Sequence, residues 1–553
     1  MKIEAPSPTP APQLPGDLLI AVAVILVSLF THLGAFGLVG PDEPRYAWIA
    51  RAMAQTNDWI TPKLYGDPWF EKPILYYWAA ALGFRLHLPA EWAARLPSAF
   101  AALAAAMGLF WLGRKFYGSD REPSKNSIAS PALLAPVIFS ASVAGIGFAR
   151  AATPDMLFSA SIALAMVAAA AYLRTSDALH AAANDIKSNN SSSLGILALF
   201  GAFLGLGVLA KGPAAVILAG GAIAIWALAA SQLRIALRFF HPVAIASFCV
   251  VALPWYVLCA LRNPDFLHVF IFQHNFQRYL TPLFQHKQPF WFFGPITLLA
   301  LLPWTAFLIF PALDARRILQ NRAWRNSPGF FFACWAVFPV LFFSLSQSKL
   351  PSYILPAVAP LAMVLAVSAK NIFGPNRAAS IAASLAVAIS WLALGFAAIR
   401  YFLPDPRAAL AEALLLGVAV IAALAALVAG ARFKLKWLVI STAVAVALAV
   451  EISGLALLPV LDPDLSARER AGWITANGTT DFYTFHLTRS WGYGLAFYAD
   501  RPIAEWSPEN LGPASILTTE QGLLELKKLG RFSGPVSPQE RGMRYVKIEA
   551  AAR

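Results

Sequence analysis

The sequence predicts an all-α polytopic membrane protein of about thirteen transmembrane helices, with a small α/β extracytoplasmic domain at its C-terminal end. Three observations carry this. Of 553 residues, 58% are hydrophobic and only 13% charged, with a mean hydropathy of +0.61, too apolar for a chain folded in water. Stretches of about 20 mainly apolar residues, long enough to cross a bilayer as a helix, recur from Leu18 to Pro459. From residue 461 to 553 the chain turns polar, with short strand-like runs.

In order along the chain, the Pro-rich segment Pro6–Pro15 has nothing to bury, so residues 1–17 are expected to be a disordered tail. The first apolar stretch, Leu18–Leu38, exceeds the roughly 7 to 15 residue core of a cleavable signal peptide and is expected to remain as an anchor. Further spans are expected near 91–113, 131–149, 155–173, 195–210, 212–230, 240–260, 291–312, 328–346, 352–369, 378–399, 408–430 and 435–460. Residues 18–460 thus form one transmembrane domain. Loop charge tests the tally. With the N-terminus inside, every inner connection carries at least two cations, such as Arg114 and Lys115, Arg234 and Arg238, or Lys370 and Arg377. That is the positive-inside pattern, and it places loops 39–90 and 261–290 and the C-terminal region outside. It also accounts for the net charge of +14 without a nucleic-acid partner.

In the C-terminal region, Phe482–Leu487 and Arg544–Ile548 read as strands and Gln521–Leu529 as a helix, a small α/β domain with a structural or acceptor-recognising role. The three cysteines, Cys249, Cys259 and Cys334, lie within apolar stretches at no metal-ligand spacing and read as packing. Gly201 and Gly205 read as a close helix contact. Glu451 is an acid well inside a predicted span and is left without a role.

The residues suited to chemistry gather at outer helix ends. The first outer loop opens on Gly40-Pro41-Asp42-Glu43-Pro44-Arg45-Tyr46; if Pro44 starts a helix, Asp42 lies just ahead of its N-terminus, where the dipole favours a carboxylate. Adjacent acids cannot face the same way, so Asp42 and Glu43 are expected to differ in role. The loop continues to Glu71 and Lys72 among aromatics. Asp155 begins a span after a very short outer turn, and standing alone it would read as a helix cap. Loop 261–290 holds His274 and Arg278 on one helical face, and Glu71 with His274 is a candidate metal pair. Lys211 and Lys349 occupy two more outer turns, the second followed by Tyr353. A lone outer lysine snorkels to the headgroups, but several converging cations suit a phosphate.

These motifs resemble the bacterial lipid A aminoarabinose transferases and their relatives, the dolichyl-phosphate-mannose protein mannosyltransferases. The resemblance rests on Pro41–Ala47, Glu71-Lys72-Pro73, Thr153-Pro154-Asp155, Lys211-Gly212-Pro213, Gln285-His286-Lys287 with Pro289-Phe290-Trp291, and Lys349–Pro356, in the family's order. It implies a GT-C fold and inverting transfer of a sugar from a polyprenyl (undecaprenyl) phosphate to an acceptor outside the membrane, such as lipid A, a glycan or a protein. By similarity Asp42 is the leading catalytic acid, with Asp155 beside it and Glu43 adjacent. Lys72, Arg278 and Tyr353 are donor-phosphate ligands, and Arg45, Lys211 and Lys349 are supporting cations. A divalent metal (Zn, Mg or Mn) is an open expectation, as are a monomeric state and a bacterial inner-membrane location with the site facing the periplasm. A lipid-linked sugar transporter or flippase is the alternative, although transport sites usually sit at mid-membrane.

Overall fold

The computed structural model describes residues 16–118, 127–174, 191–277, 288–320, 324–325, 327–402, 406–476, 482–510, 512–529 and 543–548. Residues 1–15 of the expected N-terminal tail and Arg278 lie outside these residues, as does the side chain of His274, whereas Gly16 and Asp17, expected in the tail, open the first helix.

The described chain is mostly helical. Its first half comprises α1 (Gly16–Phe30), α2 (Asp42–Thr56), a short hairpin of β1 (Lys63–Leu64) and β2 (Asp67–Pro68), α3 (Leu75–Arg85), α4 (Ala90–Tyr117), α5 (Pro131–Ser140), α6 (Val143–Ala149), α7 (Asp155–Arg174), α8 (Ser191–Lys211), α9 (Ala214–Ala229) and α10 (Pro242–Arg262). There follow α11 (Phe293–Ala300), α12 (Ile309–Gln320), α13 (Pro328–Ser344), α14 (Leu355–Ile372), α15 (Arg377–Phe402), α16 (Ala409–Ala431) and α17 (Leu435–Ile452). Among the described residues eight helices are long and apolar enough to cross a membrane, or ten if each of two bent pairs counts as one span. The protein is therefore a multi-pass membrane protein.

Two expected spans are broken. Residues 131–149 form α5 and α6, bent by 60°, and residues 293–315 bend by 115°. At the first break Ser142 Oγ accepts the Gly145 N–H at 3.1 Å, so the second segment starts with its own cap rather than continuing the ladder. The first span also stops early: α1 ends at Phe30, and residues 31–41 lead to the outer loop through turns.

Helix α7 lies at the centre of the bundle with nearly every residue buried. Its run of Ala and Ser lets neighbouring backbones approach closely, the contact that replaces hydrophobic driving force between helices in lipid. Gly201 and Gly205 on α8 serve the same end. A Cβ at Gly201 would strike Ala244 O and Ser247 Oγ of α10, and one at Gly205 would crowd Val251, so the close-contact reading of this pair holds.

Beyond the bundle, α18 (Leu458–Leu465), α19 (Arg468–Ala476), α20 (Arg489–Tyr498) and α21 (Glu520–Lys528) accompany a three-stranded sheet ordered β3 (Tyr483–Phe485), β4 (Ala514–Thr519), β5 (Met543–Ile548). β3 runs parallel to β4 and β5 antiparallel to it. The strands at 482–487 and 544–548 and the helix at 521–529 were expected. The central strand β4 and helices α19 and α20 were not, because Ala514–Thr519 lacks clean alternation and α20 is interrupted by two glycines.

This region is fastened to the exit of α1. Val39 bridges Ser466, Gly37 N–H donates to Asp462 at 2.6 Å, and Leu38 N–H donates to the Tyr498 hydroxyl at 2.7 Å. Arg468 joins Asp462 at 2.7 Å and Glu91 at 3.3 Å.

Candidate active site

Helix α2 begins two residues earlier than Pro44 suggested. Pro41 is its N-cap and Asp42 its first residue, so Asp42 and Glu43 both lie in the first turn, where exposed N–H groups favour carboxylates. Pro44 sits there without loss because its missing N–H would have no helical partner. The helix sends the two acids opposite ways.

Glu43 is buried. Its carboxylate meets Arg95 of α4 at 2.7 Å and accepts the N–H groups of Val39 at 2.9 Å and Ala152 at 2.7 Å. Arg95 is wholly buried and also donates to the carbonyls of Leu33, Phe36 and Gly37. Arg95 was missed in the sequence reading because it sits inside an apolar span, where a lone cation resembles a loop residue displaced by a boundary error.

Asp42 points away from that buried network, its side chain 52% exposed, and meets Arg45 at 2.5 Å. Partial burial pushes the Asp42 carboxyl above its ordinary value, Arg45 and Lys72 pull it back, and Glu71 and Asp155 push it up again. Arg45 also meets Glu71 at 3.1 Å, and Glu71 meets Lys72 at 3.1 Å. Acid and base thus alternate from Asp42 through Arg45 and Glu71 to Lys72. Rings of Tyr46, Trp69 and Tyr493 surround the Arg45 guanidinium with centroids 5.1, 5.4 and 5.6 Å away. Burial beside these acids holds the Tyr46 hydroxyl well above its usual range, so it remains protonated.

Asp155 opens α7 as expected, and Lys211 at the end of α8 pairs with it. Ser352 and Lys72 also face Asp155. The Lys211 ammonium lies 5.2 Å from the Tyr353 ring centroid, so Tyr353 joins the cluster from its short 3-10 turn, Pro351–Ile354. Lys349 is close in sequence but differently engaged: it is buried, and its ammonium donates to the carbonyls of Ser346 at 2.6 Å and Gln288 at 3.1 Å.

The loop after α2 also meets the end of α10 and the start of the loop that follows it. Trp255 Nε1 donates to Ile60 O at 2.9 Å, Asn263 joins Thr61 at 3.0 Å, and Arg262 meets Asp58 at 2.9 Å. A cavity of about 470 Å³ opens beside Glu71, lined by Trp69, Phe70, Arg262, Asn263 and Asp265 among others. Among the described residues no group of three or more His, Cys, Asp or Glu side chains has the arrangement of a metal site. Glu71, the acid of the expected metal pair, is matched by two cations, so the described donors do not fit a divalent ion.

Outside this cluster, Glu451 of α17 meets His32 at 2.7 Å, which joins the last long span to the end of the first.

Comparison with known proteins supports the resemblance. The family model for dolichyl-phosphate-mannose-protein mannosyltransferase matches residues 17–270. Undecaprenyl phosphate-alpha-4-amino-4-deoxy-L-arabinose arabinosyl transferase of Edwardsiella ictaluri (strain 93-146) is 32% identical over 66% of this chain and 61% of its own length. The protein of the same name from Serratia proteamaculans (strain 568) is 34% identical over 64% of this chain and 59% of its own. The matched part thus spans about three fifths of these relatives. The crystal structure of ArnT from Cupriavidus metallidurans bound to undecaprenyl phosphate superimposes with a TM-score of 0.77 at 22% identity, covering 96% of this chain and 98% of that one. Its apo form gives 0.75 with the same coverage.

Proposed function

Because the chain is ArnT-like, sharing the ArnT fold along nearly its whole length, we propose that it transfers a sugar from a polyprenyl phosphate to an acceptor at the outer membrane surface. The observation that carries the reading is the convergence of Asp42, Arg45, Glu71 and Lys72 with Asp155, Lys211 and Tyr353 from separate turns. The donor is of the undecaprenyl-phosphate class, the sugar an aminoarabinose or a related pentose or hexose, and the acceptor lipid A.

The electrostatics suit this chemistry. Three acids, Asp42, Glu71 and Asp155, are matched among the described residues by three cations, Arg45, Lys72 and Lys211. A donor phosphate adds negative charge to that balance, and Lys72 with Tyr353, joined by Arg278, is assigned to receive it. As the glycosidic bond to phosphate breaks, charge grows on the departing oxygen. Cations already held in place stabilise that charge without reorganising, a contribution that is often the largest in catalysis. Asp42 orients the incoming acceptor and takes up its proton, worth about 10²- to 10⁴-fold. Asp155, held by Lys211, shapes the acceptor side. Glu43 and Lys349 hold backbone in place: Glu43 through Arg95 and Ala152, Lys349 through two carbonyls. The cavity beside Glu71 has the size of a site for a saccharide head group.

We read the three shorter apolar helices, Gly16–Phe30, Ala214–Ala229 and Pro328–Ser344, as spans too, which restores a total of thirteen. Residues 461–553 then form a periplasmic domain on a monomer in the bacterial inner membrane. No step is assigned to a metal. The transporter alternative has no support: the ionisable cluster lies at outer helix ends, and the relatives are named as transferases.

The test is reconstitution of the purified full-length protein with undecaprenyl-phosphate-linked aminoarabinose and lipid A, followed by mass spectrometry. Modified lipid A from the native protein and none from Asp42→Asn supports the assignment; equal product from both rejects it.

A further inference from the structure

We infer that Tyr493, carried by helix α20 of the C-terminal region, is a positioning residue of the active site whose ring covers Arg45 and holds it between Asp42 and Glu71. The inference rests on the transferase reading above and adds to it: the C-terminal region contributes a side chain to the catalytic constellation.

The edges of the Arg45 guanidinium meet Asp42 at 2.5 Å and Glu71 at 3.1 Å. Arg45 Nε is buried and has no hydrogen-bond partner among the described residues. Around it the charge is stabilised by aromatic faces instead. Tyr46 and Trp69 come from the first outer loop; the third ring, Tyr493, comes from α20.

Two features show that Tyr493 is held there. Helix α20 is clamped to α2 near its C-terminal end, where Arg51 meets Asp500 and the Phe497 carbonyl, both at 2.9 Å. Phe497 is four residues beyond Tyr493 and shares its face, so the clamp fixes both. From the other side Tyr65 stacks on Tyr493, with centroids 6.4 Å apart and planes at 24°. Tyr65 occupies the β1–β2 turn with φ of 57°, a conformation rare for so bulky a residue. That turn carries its ring to Trp48, at 4.8 Å, as well as to Tyr493.

The consequence passes through Arg45 to Asp42. Facing Asp42 are Arg45 and Tyr46 on α2, Glu71 and Lys72 on the following loop, Tyr77 on α3 and Asp155 on α7. Arg45 is the neighbour that most favours the charged carboxylate. An Arg45 free to swing into solvent holds that charge less well.

The experiment compares native protein with Tyr493→Ala and Tyr493→Phe, all full-length in lipid nanodiscs, using undecaprenyl-phosphate-linked aminoarabinose and lipid A. Tyr493→Ala is expected to lower kcat by roughly 3- to 30-fold and to move the acidic limb of the kcat profile to higher pH. Tyr493→Phe, which keeps the ring face, restores both. Native kcat and an unmoved limb in Tyr493→Ala would overturn the inference, as would equal impairment in Tyr493→Phe. If the native protein modifies no lipid A, the transferase reading fails separately, and hydrogen exchange over residues 42–56 decides this one. Faster exchange in Tyr493→Ala but not in Tyr493→Phe supports it; equal exchange in all three overturns it.

Discussion

The Glu43 carboxylate accepts the backbone N–H of Ala152 at 2.7 Å, tying the helix that begins at Asp42 to the turn that introduces Asp155. Asp42 and Asp155, the two acids assigned to the reaction, are thus spaced by a third that is buried between them. Its remaining partners, Arg95 and the Val39 N–H, lie beneath the site.

Glu43→Ala should therefore act first on stability. It leaves the fully buried Arg95 without its counter-ion, a loss of about 3–5 kcal/mol for a broken buried pair. Thermal unfolding in detergent measures it. Adding Arg95→Met should recover only part of the loss, since Arg95 also satisfies three backbone carbonyls.

Asp42→Asn should abolish transfer without destabilising the protein. A carboxyl whose folded pKa is raised above its unfolded value favours the folded state most below that unfolded value, near 3.8, and loses this contribution as pH rises through the folded value. At neutral pH the ionised carboxyl is thus a slight burden, and the amide should leave the unfolding temperature equal or higher. The same direction places the acidic limb of native activity above pH 3.8. Arg45→Gln, which removes the opposing cation, should move that limb higher still. Activity against pH and a melting curve check both.

Lys211→Ala should impair both folding and transfer, because it strands the Asp155 carboxylate at a largely buried helix start. A double variant with Asp155→Asn removes the stranded charge, so the unfolding temperature should recover while transfer does not. Recovery of both would show that the pair only supports the fold.

Lys72→Ala should raise the donor KM more than it lowers kcat if the ammonium binds the phosphate in ground and transition states alike. Titration of the lipid-linked sugar separates the two. A fall in kcat at unchanged KM would move Lys72 from binding to transition-state stabilisation.

Much of this architecture was legible in the sequence for a simple physical reason. In lipid every backbone polar group must be satisfied within the helix, so span length and apolarity are enforced residue by residue. Loop charge then oriented the outer motifs, and Asp42, Lys72, Asp155, Lys211 and Tyr353 meet in the structure on one side. What stayed hidden depends on contacts between distant segments. Arg95 reads as an isolated cation in an Ala-rich helix until Glu43 is placed against it. The bends within 131–149 and 293–315 were hidden because breaking a helix leaves its hydrophobic count unchanged. Tyr493 was missed because a half-buried aromatic in a polar stretch of sequence carries no local signal of the cation it covers.

The fastening of α1's exit to the last part of the chain has a consequence for biosynthesis. Residues 34 to 39 are met by Asp462, Ser466, Arg468 and Tyr498. A nascent chain inserts its first span long before those partners leave the ribosome. Until then the stretch leading to Asp42 lacks its later supports, and the cluster around Asp42 is unfinished although most of its side chains have already been synthesised. The proposed site is thus expected to be completed late in synthesis, when the C-terminal region returns to meet the exit of α1.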